Sequence, residues 1–295
     1  MSDQFHYGGQ AVIEGVMMRG RRHVSVAVRR PNGQVTVVTK RLSSVYTGKL
    51  RNIPLLRGVF VLAETLVLGI QTLFQSANYA LGEEDKEEEL SPVMLWGVLA
   101  ASIGFAVLIF FLAPLFITRV IDPHLDSSLL SNIVEGVIRM GIFVLYLALI
   151  NLIPDIRRVF AYHGAEHKTV NAYEAEVPLE PSSVSRYSTA HVRCGTSFLF
   201  AVLIISIVVF ALLGQPDFWL RVLSRIVLIP VIAAIGYEFT RFSARYADNR
   251  ILRVLFMPGL ALQRLTTRQP TEDQLEVAIS ALKGVVEADR VQETV

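Results

Sequence analysis

Val93-Met-Leu-Trp-Gly-Val-Leu-Ala-Ala-Ser-Ile-Gly-Phe-Ala-Val-Leu-Ile-Phe-Phe-Leu-Ala-Pro-Leu-Phe-Ile-Thr118 carries no charged side chain from end to end. A helix needs about 20 apolar residues to cross a bilayer, so this stretch reads as a membrane span. Three further runs qualify. Residues 132–153 carry Glu135 and Arg139 near their start, residues 197–214 are uncharged, and residues 222–240 contain Arg225 and, near their end, Glu238. Hydrophobic residues make up 52% of the chain and charged ones 18%, and the apolar residues are gathered in these runs. Charged residues inside spans are functional candidates by default, although Glu135, Arg139 and Arg225 lie near enough to span ends to snorkel.

Lysine and arginine set the expected orientation. Residues 1–57 hold ten of them, Lys86 is an eleventh, the loop 154–196 holds five and the tail 241–295 holds eight, so 24 of the 28 fall on one side. By the positive-inside rule both termini and the central loop face the cytoplasm. The first 57 residues are polar and basic without an apolar h-region, so no secretory signal is expected. A single cysteine excludes an internal disulfide. The net charge of +2 is what basic loops produce and predicts no nucleic-acid partner.

The expected fold is therefore an α-helical polytopic membrane protein. It has four transmembrane helices, an interfacial or re-entrant helix, a small β-rich N-terminal cytoplasmic region and a cytoplasmic α-helical motif loop. Residues 1–57 form the β-rich part. His23-Val-Ser-Val-Ala-Val-Arg-Arg30 and Gln34-Val-Thr-Val-Val-Thr-Lys40 alternate around Pro31-Asn32-Gly33, a hairpin signal. Upstream, Gly8-Gly9-Gln10-Ala-Val-Ile-Glu14-Gly15-Val-Met-Met-Arg19-Gly20 reads as a strand whose glycines allow close backbone approach. Residues 58–81 are apolar but interrupted by Glu64, Gln71 and Gln75, which suits a helix at the interface or re-entering it. Residues 82–92 are an acidic linker, 93–153 and 197–240 the two transmembrane hairpins, and 241–295 a helical tail. In that tail Leu275, Ala278, Ile279, Leu282, Val285 and Val286 form one apolar face.

The chemistry gathers in the loop 154–196. His163-Gly-Ala-Glu166-His167 places two imidazoles on adjacent turns of a helix beginning near residue 156, with a carboxylate between them. Two such imidazoles can grip a divalent ion while the glutamate takes a proton from a metal-bound water. A polar helix end explains the same residues about equally well, and Gly164 is a poor helix former. Downstream, His191-Val-Arg193-Cys194 precedes the third span, with Thr196 or Ser197 placed to cap it. A helix N-terminus there favours the Cys194 thiolate. The third ligand is one of His191, Cys194 or Glu238, the last lying 71 residues after His167. The plain alternative for Glu238 is an ion pair with Arg241 or Arg245.

Gly9-Gln-Ala-Val-Ile-Glu-Gly-Val-Met-Met-Arg-Gly20, Tyr162-His-Gly-Ala-Glu-His-Lys168, His191-Val-Arg-Cys-Gly-Thr-Ser-Phe198 and Pro258-Gly-Leu-Ala-Leu-Gln-Arg-Leu-Thr-Thr-Arg268 together resemble the YqhQ-like family of bacterial membrane proteins. That family is of unknown function and carries the label "predicted metal-dependent enzyme". The resemblance covers nearly the whole chain. It implies that Glu14, Arg19, His163, Glu166, His167, His191 and Cys194 are the candidate functional residues, and that the protein sits in the bacterial cytoplasmic (inner) membrane.

Two functional readings stand. The first is a metal-dependent hydrolase at the cytoplasmic face, with a divalent metal, zinc by ligand type, as cofactor. His163 and His167 are its ligands and Glu166 its general base. Arg19 or Arg193 stabilises an oxyanion, and Glu14 shares the site. The second is a non-enzymatic membrane scaffold or transport or insertion factor, with a structural metal held by His163, His167, His191 and Cys194, or with none. The bilayer is the expected partner, and a protein partner at the cytoplasmic face fits either reading. Three ligands with one open position mark a catalytic metal, and four mark a structural one.

Overall fold

The computed structural model describes residues 5–43, 53–82, 91–246 and 249–291. The acidic run 83–90 lies outside them. The N-terminal region folds as a four-stranded antiparallel sheet in the order β1-β2-β3-β4: β1 (Gly8–Val12), β2 (Gly15–Arg19), β3 (His23–Arg29) and β4 (Val35–Arg41). The expected hairpin joins β3 to β4, with Val26 opposite Val38. The glycine-rich segment forms a second hairpin where the sequence suggests one strand. Its register pairs Val12 with Gly15, and Glu14 occupies the tight turn at a φ of 52°.

Strand alternation gives the sheet two apolar faces. Val16, Met18 and Ala27 face one way, and Val12, Met17, Val24, Val26 and Val28 face the other. The first face receives α11 (Glu272–Val291), whose buried stripe holds Leu275, Ala278, Ile279, Leu282, Val285 and Val286, as the helical period predicts. Gln274 reaches back to the Thr271 N–H at 3.1 Å and closes the first turn of this helix. The second face receives α1 (Leu56–Ala80) through Leu68, Tyr79 and Ala80.

Among the described residues, four helical segments are long and apolar enough to cross a membrane: Leu56–Ala80, Val93–His124, Ser128–Ile150 and Gly195–Leu213. The second of these combines α2 (Pro92–Val107), a π-helical stretch at Leu108–Leu112 and α3 (Ala113–Ile121). The others are α1, α4 (Ser128–Ile150) and, after α5 (Pro154–Glu174) and the short α6 (Pro181–Val184), α7 (Gly195–Leu213).

Two features differ from the sequence expectation. α1 passes the length test for a span where the sequence suggests an interfacial or re-entrant helix, and it lies along the sheet: Arg19 Nε meets Glu64 at 3.0 Å and the Ile13 N–H meets Ser76 Oγ at 3.1 Å. The expected fourth span is instead a bent pair, α8 (Phe218–Val227) and α9 (Ile229–Arg245), turned by 45°. Pro230 sits at the break, where it has no N–H to give to the carbonyl four residues back. The remaining element, α10 (Arg250–Thr266), packs against α7 and α4.

Nor do the charges within these helices snorkel. Glu135, Arg139 and Arg225 are 1%, 1% and 0% exposed, because Arg139 pairs with Glu135 along α4 and Arg225 of α8 pairs with Glu135 across the helices.

The C-terminal helix also fastens the turn between β2 and β3. Asp289 accepts the Arg21 N–H at 2.6 Å, the Arg22 N–H at 3.1 Å and a contact from His23 Nδ1 at 2.8 Å. Asp289→Ala leaves two backbone donors without their acceptor, a loss on the order of 1–3 kcal/mol. Thermal melting of the detergent-purified protein should show a midpoint lowered by several degrees, and an unchanged midpoint would remove this clamp from the account.

Candidate metal centre

α5 starts on Pro154, whose missing N–H costs nothing at a first helical turn, and carries Asp155 beside the positive end of the helix dipole. His163, Glu166 and His167 then fall on successive turns. Gly164 costs the helix about 1 kcal/mol relative to alanine, and the structure supplies the reason for it. A Cβ there would lie 2.0 Å from the Arg268 carbonyl oxygen. The chain leaving α10 presses against α5 at this point, and the Arg268 N–H donates to the Phe160 carbonyl at 2.9 Å. That docking delivers the Thr266 carbonyl to His163 Nδ1 at 2.8 Å.

The chain between α6 and α7 is drawn onto the same helix by its backbone oxygens. Lys168 Nζ donates to the Ser185 and Tyr187 carbonyls at 2.7 and 2.6 Å, and burial lowers the pKa of this amine. Asn171 Nδ2 donates to the Ser188 and Ala190 carbonyls at 2.9 and 3.1 Å. His167 Nδ1 meets the Thr189 carbonyl at 2.6 Å. Gln263 clips the strand from the other side: its Oε1 accepts the His191 N–H at 2.9 Å and its Nε2 donates to the His191 carbonyl at 2.8 Å. Cys194 arrives as the N-cap of α7, a role the sequence suggests for Thr196 or Ser197, and its Sγ accepts the Thr196 N–H at 3.4 Å.

The result is a convergent group. A carbonyl can only accept, so Nδ1 of both histidines carries a proton, and in the neutral ring Nε2 is the nitrogen left to offer a lone pair. His163 Nε2 lies 3.4 Å from Cys194 Sγ. Among the described residues His163, His167 and Cys194 offer ligand atoms all within 4.8 Å of one another. Tetrahedral zinc with ordinary bond lengths separates a nitrogen from a sulfur ligand by about 3.6 Å, so this donor set fits such an ion with little movement. Glu166, 4% exposed, brings Oε2 to 3.5 Å from His167 Nε2.

His191 lies beside the group, its ring centroid 5.6 Å from that of His167, but it turns elsewhere. Its Nε2 faces Arg193 at 3.4 Å and Glu174 at 3.6 Å. Burial lowers its pKa, with the Glu166 carboxylate offsetting part of that effect. Arg193 is held by Glu174, and burial lowers its pKa as well.

The remaining candidates lie outside the group. Glu14 faces α5, as expected of the glycine segment, but it meets Arg158 at 2.6 Å and the Tyr162 hydroxyl at 3.3 Å. Arg19 projects from the sheet face opposite to that of Met18, so it reaches Glu64 on α1. Glu238 forms an ion pair with Arg57, Nε at 2.6 Å, and also accepts the Leu55 N–H at 3.2 Å; of the expected partners, the Arg245 side chain lies outside the described ones. The glycine segment still touches the centre through Gly9, where a Cβ would lie 3.1 Å from Glu166 Cγ. Sequence reasoning misses Lys168, Asn171 and Gln263. Asn171 has one readable signal, since it is four residues after His167 and so on the same helical face.

Comparison with known proteins bears on the whole of this architecture. A family model described as "Protein of unknown function (DUF1385)" matches residues 53–288. The chain is 34% identical over 301 residues to "Uncharacterized protein YqhQ" of Bacillus subtilis (strain 168), an alignment covering 97% of this chain and 94% of that one. No solved structure matches. With α1, the apolar helices and every member of the His/Cys group inside the matched region, the chain belongs to the DUF1385 family.

Proposed function

We propose that this protein is a multi-pass membrane enzyme that holds one divalent metal at the cytoplasmic face and uses it for hydrolysis. The observation that carries the reading is the convergence of His163 Nε2, His167 Nε2 and Cys194 Sγ, with both imidazoles oriented by backbone carbonyls. Three protein donors and one open position suit a catalytic ion better than a structural one. The direction of the His191 ring supports this, since a structural site would draw it in as a fourth ligand. Zinc is the favoured ion because one thiolate and two imidazoles match its ligand preferences. When bound, the ion would supply Lewis acidity and a water of lowered pKa.

The protein's own part is then proton handling and exclusion of solvent. Glu166 is the base: its Oε2 lies 3.5 Å from His167 Nε2, and its stem lies against the β1 backbone at Gly9. Arg193, partly exposed at the edge of the group, is the cation placed to meet an anionic substrate. The membrane placement rests on the apolar helices together with the one-sided distribution of lysine and arginine. That distribution supports a cytoplasmic position for α5, the sheet and both termini.

Metal analysis of the detergent-purified chain is the first test. The wild type should retain about one equivalent, and the double change His163→Ala, His167→Ala should retain none; a wild type free of metal after reconstitution with Zn2+ or Co2+ sinks the reading. A cobalt-loaded sample should also show a thiolate-to-metal charge-transfer band that Cys194→Ser abolishes. Glu166→Gln should keep the metal and abolish hydrolysis in a panel of peptides, phospholipids and phosphoesters. Equal metal loss in Glu166→Gln and His167→Ala would instead make Glu166 a structural part of the site. Gly164→Ala pushes the Arg268 carbonyl away and with it the acceptor of His163 Nδ1, so metal affinity should fall about 10–100-fold, the range for losing such a partner. Isothermal titration with Zn2+ would measure that change.

A further inference from the structure

A second cluster of charge lies between the apolar helices at their other end. From Glu135 to the end of α4 is about 22 Å of helix, so the cluster is remote from the His/Cys group. Glu135 accepts from three guanidinium groups: Arg139 Nη2 at 2.6 Å, Arg225 Nη2 and Nε at 2.8 and 3.1 Å, and Arg221 Nη2 at 3.4 Å. Asp122 accepts Arg221 Nη1 at 2.7 Å and the Ser131 hydroxyl at 2.5 Å. Neutral groups take most of the remaining donors. Arg139 reaches the Phe110 carbonyl and Ser206, Arg225 reaches Asn132 and Ser224, and both lie over the Phe210 ring.

The charges do not balance. Three arginines face two carboxylates, leaving one positive charge in excess among side chains that are largely withdrawn from solvent. Arginine cannot shed its proton to escape this cost. A buried charge lacking its counter-charge is strongly unfavourable. One donor is also left over: Arg221 is 6% exposed, and its Nε is buried with no hydrogen-bond partner. Arg221 pairs with Asp122 while Arg139 and Arg225 share Glu135, so the surplus charge and the unmet donor of Arg221 lie in one cluster. Arg221 sits in the first turn of α8, a helix that exposes Trp219, Leu220 and Leu223 on its outer side.

We infer that Arg221 is the core of an anion site that takes one phosphate-type oxyanion, bound through Nε, and so neutralises the cluster. The apolar outer side of α8 beside it suits the chains of a phospholipid, and the same chemistry would accept free phosphate. The site is independent of the metal reading. It depends on the membrane placement only where a lipid is the source of the anion.

The test is thermal melting of the delipidated full chain in neutral detergent, titrated with dioleoylphosphatidylglycerol or with inorganic phosphate. The wild-type midpoint should rise in at least one arm. A rise with phosphatidylglycerol alone identifies a lipid headgroup, and a rise with phosphate identifies a free anion. Arg221→Gln brings the cluster to neutrality, so it should melt no lower than the anion-free wild type and show no rise. Asp122→Asn adds one more unit of excess charge and should lower the half-saturating anion concentration on the order of tenfold. No rise for the wild type in either arm, or an equal rise in Arg221→Gln, overturns the proposal. Should Arg221→Gln fail to fold, Asp122→Asn decides alone: affinity unchanged or weaker than wild type overturns it.

Discussion

The carbonyl of Arg268 occupies the place where residue 164 would carry a Cβ, and the candidate centre depends on that contact. A helix bearing an exposed glycine loses stability without return. Here the missing methyl lets the chain leaving α10 lie directly on α5, and three things follow. The Phe160 carbonyl finds a donor, His163 finds an acceptor for Nδ1, and Thr266 comes within 3.0 Å of Thr196 at the head of α7. Two helices distant in sequence are thereby fixed relative to the one that carries the histidines.

The organisation of the centre is mostly backbone chemistry. Both imidazoles are oriented by main-chain oxygens, and Lys168 and Asn171 hold four more carbonyls of the returning loop. These acceptors belong to residues whose side chains are irrelevant to the interaction. Main-chain partners also carry no charge and cannot titrate, unlike a carboxylate partner.

This explains which parts of the molecule were legible in the sequence. Runs such as residues 93–118 announce themselves by length, and the stripe from Leu275 to Val286 by its helical period, because both signals reside in side-chain polarity. The β1–β2 hairpin was hidden because its turn places Glu14, rather than glycine or asparagine, at positive φ. The bend between α8 and α9 had a visible cause in Pro230 but fell inside an apolar run that reads as continuous. His163 and His167 were legible from spacing. The choice among three candidates for the remaining position of the group was not, since it turns on which way the His191 ring faces and on Arg57 reaching Glu238. Glu135, Arg139 and Arg225 were visible as charges, whereas their burial depends on a neighbouring helix supplying the partner.

Cys194 has two attachments that act at right angles in function. Its sulfur receives the Thr196 N–H in the first turn of α7 and faces His163, so the same atom caps a long apolar helix and borders the centre. An α-helix advances 1.5 Å per residue, while metal–ligand bonds tolerate only a few tenths of an ångström. Axial travel of α7 by less than one residue would therefore carry the sulfur out of bonding range. With the ion and the membrane placement proposed above, the Cys194 end of this helix works as a gauge: the centre keeps its geometry only at one depth of α7, which ties its integrity to the thickness of the surrounding bilayer.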